Sequence, residues 1–396
     1  MKTLKISKQK LDLLIYYFIV LVIVLDSTTK ASIFTLKILS IGTVLILYLI
    51  YFKYKPNILL LISVFFAMMS SINYAQFYKP DGLFVGTIIF SSIYFYVFIL
   101  VLLFIDKIDK NIDFRKHLTI TVVLYYLSLF SDYLFMDFAL YIDTYRYLIA
   151  KSQLGITLVV FLFMSEKNKK LFLVYLILLA IYFYSFSQYQ IRSNAFTVII
   201  LVSMIISFSF VKKPFNTSVK IILFLLLCSI IYLYYDNYFD ELFRKVEKRF
   251  MYMFDEQHNY MEQSNRSIRY QELIEQLRLS YIPYLLGNGI GMSAYLSKAT
   301  DLNSPHSAIL GMFHEIGVLG GIFFILYYLK HVFLAYISKN REVKYAGMTI
   351  LSLFMLSMTH SFLFPNMGGN YIIFEYLILY LLLIPLIKYN KMNLHK

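Results

Sequence analysis

Apolar runs long enough to cross a bilayer, which takes about 20 residues, recur along nearly the whole of this 396-residue chain. A chain built this way must satisfy its backbone inside each run, because hydrocarbon offers no hydrogen-bond partner. The expected fold is therefore all-α, a polytopic membrane bundle of about twelve transmembrane helices. Expected span centres lie near Phe18, Val44, Phe66, Tyr94, Leu127, Thr157, Leu178, Met204, Phe224, Gly320, Leu353 and Leu379. Composition agrees: 60% of residues are hydrophobic and only 15% charged, with mean hydropathy +0.67. Residues 1–396 are read as a single integral membrane domain, and the first run as an uncleaved helix, since "VIVLDSTTK" offers no small-residue cleavage site. The single cysteine, Cys228, sits in an apolar run and reads as a small buried hydrophobe.

Basic residues orient the bundle, because Lys and Arg are retained on the cytoplasmic side. With the N-terminus inside, the inner segments carry Lys2, Lys5, Lys8 and Lys10, then Lys53 and Lys55, then Lys107, Lys110, Arg115 and Lys116. Further along come Lys167, Lys169 and Lys170, then Lys212, Lys213 and Lys220, then Lys330, Lys339, Arg341 and Lys344, and last Lys388, Lys391 and Lys396. The short outer connections hold only Lys30, Lys79, Arg146, Lys151 and Arg192. Both termini are expected in the cytoplasm, and a bias to Lys, Ile, Asn, Tyr and Phe with no Trp suggests an AT-rich bacterial genome, which would make the membrane the bacterial inner membrane. The net charge of +14 then reflects topology and contact with anionic lipid, and calls for no nucleic-acid partner.

One connection is different. Residues 236–305 form a long outer, extracytoplasmic loop that keeps many basic residues. Phe239, Leu242, Phe243, Val246, Phe250, Met253 and Phe254 recur in it at helical spacing, as do Tyr270, Leu273, Ile274 and Leu277. Two amphipathic helices are expected within the loop, lying on the membrane surface or forming a lid over a cavity in the bundle. The loop ends in "LLGNGIGMS", Leu285 to Ser293. Without a strand before it this is no nucleotide cradle, and a tight turn returning the loop to the bundle is expected.

After the loop comes "SPHSAILGMFHEIGVLGG". His306 and Ser307 are followed by nine residues, Gly317, two more residues and Gly320. Together with the long outer loop and the span count, this resembles the O-antigen ligase and Wzy-type polysaccharide polymerase family. Arg192 in "QYQIRSNAF" and Arg266 in "NRSIRYQELI" are similar to that family's arginines. The family often has Gly before the loop arginine and Trp after it, where this chain has Asn265 and Tyr270, so Arg266 and Arg269 both stay candidates. The likeness covers Arg192 to about Gly321.

The resemblance implies a glycosyltransferase that polymerises undecaprenyl-pyrophosphate-linked oligosaccharide units into a surface polysaccharide, such as an O-antigen, capsule or exopolysaccharide. The donor brings its own leaving group, so no cofactor and no metal are expected. His306 is the expected catalytic residue, since an imidazole with a pKa near 6.5 suits a general base. Arg192, Arg266 and Arg269 are the expected pyrophosphate binders, because a guanidinium offers phosphate a planar bidentate fork. Partners are the lipid-linked donor and acceptor and membrane lipid, with a chain-length regulator and a flippase as further candidates. Two alternatives share these features: a ligase passing the glycan to another acceptor, and a transporter of the lipid-linked unit. A transporter would favour internal repeat symmetry, and none is found.

Other polar residues fit less special roles. His258 opens "HNYMEQSNR" like a second copy of the motif, but Arg269 stands where glycine should fall, so it reads as a solvated loop residue. Arg278 falls on the polar side of its helix. His314 and Glu315 stand about two turns into a span, where ionisable groups are costly. They are expected to line a cavity, the alternative being a buried structural pair. "HEIGV" lacks the second histidine of a zinc-protease helix. Gly317, Gly320 and Gly321 are expected to allow close helix packing.

Overall fold

The computed structural model describes residues 7–24, 31–53, 57–75, 82–109, 112, 114, 116, 117, 119–124, 285–292, 308–357 and 383–387. The described residues are mostly helical, with no strand among them. They form α1 (Lys8–Val24), α2 (Ala31–Tyr51), α3 (Ile58–Ala75), α4 (Gly82–Lys107), α5 (Ala308–Tyr336) and α6 (Arg341–Ser357). Each holds one expected span centre: Phe18, Val44, Phe66, Tyr94, Gly320 and Leu353. Leu127, Thr157, Leu178, Met204, Phe224 and Leu379 lie outside the described residues, as does the loop 236–305 apart from residues 285–292.

These helices owe little to local helix propensity. They are rich in Ile, Val and Phe, which lose side-chain freedom in a helix, and they stand because each buries a face. α5 packs between α3 and α6, while α2 packs on α4 and touches α1. Aromatic rings fill the seams: Phe66 stacks on Phe323 at 6.5 Å between centroids, and Phe98 on Phe324 at 5.9 Å. Where rings do not fit, small residues let helices close up. A Cβ at Gly42 would stand 2.9 Å from Val97 Cγ2, and one at Gly347 would overlap the Ala335 methyl.

The outward faces are apolar too. Leu14, Leu47, Ile50, Phe65 and Phe333 are exposed, a surface that soluble monomers avoid presenting in large patches. Among the described residues one helix, Ile309–Tyr336, is long and apolar enough to cross a membrane, and Ile38–Tyr51 and Ile58–Ile72 are shorter apolar helices.

Polar side chains collect where α1 and α3 begin and α2, α4 and α5 end. Asp12 is fully buried. Its Oδ1 accepts the Tyr48 hydroxyl at 2.6 Å, and its Oδ2 accepts Lys8 Nζ at 3.0 Å and the Asp109 amide at 2.7 Å. Lys8 Nζ also donates to the Lys107 carbonyl at 3.1 Å. Beside this knot, Asn57 donates to Asp106 Oδ2 at 3.2 Å and caps α3 by accepting the Leu59 amide at 3.0 Å. His331 of α5 gives its Nδ1 proton to the Tyr327 carbonyl at 2.8 Å and turns Nε2 toward Asp106 Oδ1, 3.9 Å away. The basic residues Lys8 and Lys107 therefore meet at one end of the described helices.

Candidate functional site

α5 is two helical pieces joined at Gly317, whose φ of 74° and ψ of 170° fall in a region that only glycine occupies readily. In an unbroken helix the carbonyls of His314 and Glu315 would accept the amides four residues on. The break turns the chain away and leaves them as helix-end acceptors needing other donors. The donors come from the end of the long loop. Asn288 N donates to the His314 carbonyl at 2.8 Å, and Gly289 N donates to the Glu315 carbonyl at 3.0 Å.

Glycine makes this docking possible from both sides. Gly287, Gly289 and Gly291 have φ of 81°, 104° and 87°, so the segment turns at every second residue as L side chains rarely allow. A Cβ at Gly287 would stand 2.5 Å from the Glu315 carbonyl oxygen and closer still to the Gly317 nitrogen. One at Gly317 would stand 2.5 Å from the Leu286 carbonyl carbon and 2.6 Å from the Gly287 nitrogen. The two backbones touch with no side chain between them. "GNGIG" is thus a turn, as its sequence implies, and one that clasps the broken helix.

The three glycines of α5 part company here. Gly317 supplies the break. Gly320 supplies close packing: a Cβ there would meet Phe66 Cβ of α3 at 3.0 Å, and its carbonyl accepts the Ser63 hydroxyl at 3.2 Å. Gly321 makes room for the Phe313 ring of its own helix. Close packing against another helix, expected of all three, is seen at Gly320, whereas Gly317 meets the loop backbone and Gly321 a ring of its own helix.

His314 and Glu315 occupy the turn just before the break and are fully buried. Neither ring nitrogen of His314 has a hydrogen-bond partner among the described residues, which is uncommon for a buried polar group. His306 precedes the first residue of α5 by two positions and lies outside the described residues, as do Arg192, Arg266, Arg269, His258 and Arg278. The structure thus brings together the end of the loop and the helix following His306. Among the described residues no three His, Cys, Asp or Glu side chains gather in a metal-binding group.

No family model, curated protein or solved structure matches the chain.

The clasp itself is absent from the sequence reading, although a signal for it existed. Glycines at every second position in a loop, and another inside an apolar run, both mark backbone that needs a positive φ or a close approach. That the two segments are each other's partner is not written in either.

Proposed function

We propose that the chain is a polytopic inner-membrane glycosyltransferase that joins polyprenyl-pyrophosphate-linked oligosaccharides at the outer face of the cytoplasmic membrane. In the reaction, His306 takes the proton from an acceptor sugar hydroxyl and the oxygen attacks the anomeric carbon of a second lipid-linked unit. The bond from that carbon to the pyrophosphate oxygen breaks, and polyprenyl pyrophosphate departs. Arg192, with Arg266 or Arg269, holds the pyrophosphate and offsets the charge that grows on it. An activated donor makes nucleotide hydrolysis unnecessary on a face where ATP is absent.

The observation carrying this reading is the backbone clasp between residues 287–289 and 314–317. A loop lying loosely on the membrane surface has no need of one. A loop that must deliver arginines to a substrate held against the bundle does, and the chain places Arg266 and Arg269 before this anchor and His306 between it and α5. The apolar outward faces of α1, α2, α3 and α5, with their polar ends gathered together, support the membrane setting.

Activity is tested with purified protein in lipid nanodiscs, given an undecaprenyl-pyrophosphate-linked oligosaccharide. Longer lipid-linked glycans should form as undecaprenyl pyrophosphate is released. An unchanged donor, in the presence of intact, folded protein and a range of acceptors, would contradict the reading. Sidedness is tested by cysteine labelling with an impermeant reagent. Ser264→Cys should react in intact cells and Lys110→Cys only after permeabilisation; the reverse pattern would overturn both topology and site.

A further inference from the structure

We propose that His331 and Asp106 form a proton-binding site: a proton taken up at His331 Nε2 turns an unbonded contact into an imidazolium–carboxylate bond that fastens α5 to α4. The site stands apart from the reaction proposed above and needs none of its residues. The ring's tautomer is fixed by its surroundings. Nδ1 lies 2.8 Å from the Tyr327 carbonyl, and a carbonyl only accepts, so Nδ1 carries a proton. In the neutral ring Nε2 then presents a lone pair. What it faces is another acceptor, Asp106 Oδ1 at 3.9 Å. Two acceptors do not bond each other, and Nε2 has no hydrogen-bond partner among the described residues. Oδ2 of the same carboxylate is taken by the Asn57 side-chain amide at 3.2 Å.

A second proton on the ring resolves the mismatch. It makes Nε2 a charged donor aimed at a charged acceptor, and since such bonds run about 2.7–2.9 Å the two groups close by about 1 Å. An N–H bond forms and none breaks. The proton comes from solvent by way of the carboxylate edge, since the Asp106 side chain is 9% exposed and the imidazole 1%. Histidine suits the task, because it changes charge between about pH 5 and 8, and ionisable groups inside membrane helices commonly mark proton sites. The other charged groups around this end leave the pair to itself. From α4, the Lys107 carbonyl holds Lys8 and the Asp109 amide holds Asp12. Glu342, Lys344 and Tyr345 of α6 and Lys330 of α5 make no ion pair or hydrogen bond with His331 among the described residues, and Tyr327 meets its ring edge-on at 4.8 Å between centroids.

The test uses the full-length protein in nanodiscs, labelled with nitrogen-15 in its histidine rings, at about pH 5 and about pH 8, the ends of histidine's range. Nitrogen shifts report which ring atoms carry protons, and the His331 signals are those missing from His331→Gln. In the parent, Nδ1 should be protonated at both ends of the range and Nε2 at the acidic end only. Asp106→Asn gives the sharpest control. Its oxygen keeps the bond from Asn57, which leaves its amide to donate to the neutral Nε2 lone pair, so Nε2 should stay unprotonated throughout. Denaturant unfolding reads the fastening. The bond is present at the acidic end and lost as pH rises, so the acidic midpoint minus the alkaline midpoint should be larger in the parent than in Asp106→Asn. His331→Gln, which offers Asp106 an amide donor at any pH, should shrink the difference in the same way and replaces Asp106→Asn if that variant does not insert. His117 and the remaining histidines are present in all three proteins, so their share of the pH dependence cancels. A parental Nε2 that stays unprotonated at the acidic end would overturn the site. Midpoint differences as large in both variants as in the parent would overturn the fastening.

Discussion

The two ends of α5 are held by opposite means. Near its finish, His331 faces Asp106, which is bonded to Asn57, beside the knot of Lys8, Asp12, Tyr48 and the Asp109 amide. Near its start, at Gly317, the holding contacts are backbone to backbone, and the adjacent His314 side chain is buried with neither nitrogen bonded among the described residues. The first arrangement joins polar side chains around Asp12 and Asp106, although His331 Nε2 itself has no hydrogen-bond partner among the described residues, and the energy of the bonds to Asp12 appears as stability. The second uses glycines for geometry and leaves the His314 ring without a partner among the described residues, which costs stability and is tolerated where function requires it. Polar substitutions at the two ends should therefore move stability in opposite directions.

The sharpest break of this comparison is Asp12→Leu. It leaves the Lys8 ammonium, the Tyr48 hydroxyl and the Asp109 amide without their shared acceptor, and because Lys8 is 33% exposed the loss falls near the lower end of the about 3–5 kcal/mol that breaking a buried ion pair costs. Denaturant unfolding in detergent should show that loss, with donor affinity unchanged in whatever fraction stays folded. Next comes Tyr48→Phe, which removes the 2.6 Å bond to Asp12; a hydrogen bond to a charged group contributes about 1.5–3 kcal/mol, and the same unfolding assay reads it.

At the other end the sign reverses. His314→Leu replaces a buried imidazole that has no hydrogen-bond partner among the described residues by an apolar chain, and relieving an unsatisfied polar group returns about 1–3 kcal/mol. The variant should unfold at higher denaturant than the parent. A lower midpoint would show that His314 belongs with the satisfied groups and that the contrast between the two ends is false. Smallest of all is Ser63→Ala. Its hydroxyl bonds the Gly320 carbonyl at 3.2 Å and the Leu59 carbonyl at 3.0 Å, but interhelical bonds of this kind average about 0.6 kcal/mol in membranes. A midpoint shift near the limit of measurement is expected.

The sequence announces the helices because an apolar run is a local property, and Phe18, Val44, Phe66, Tyr94, Gly320 and Leu353 all fall inside helices. It is nearly silent about the polar knot. Lys8 and Asp12 are spaced one turn apart, which hints at a pair, but nothing in "KQKLDLL" says that Tyr48 and Asp109 complete it. Contacts between distant segments depend on how helices pack, and an apolar surface packs in many ways. Gly317 teaches the same lesson more sharply. A glycine in an apolar run can serve close packing or a positive φ, and only the segment that arrives against it decides which. The clasp between residues 287–289 and 314–317 was not legible in either segment alone.

The central claim is that His306 is the base of a glycosyl transfer, and one comparison tests it most directly. Parent, His306→Ala and His258→Ala proteins are purified in nanodiscs and given the same lipid-linked oligosaccharide, with donor binding and turnover measured separately. Turnover of His306→Ala should fall by about 10²–10⁴ with donor binding nearly intact, as for loss of a general base, and His258→Ala should match the parent. Parental turnover in His306→Ala would contradict the account.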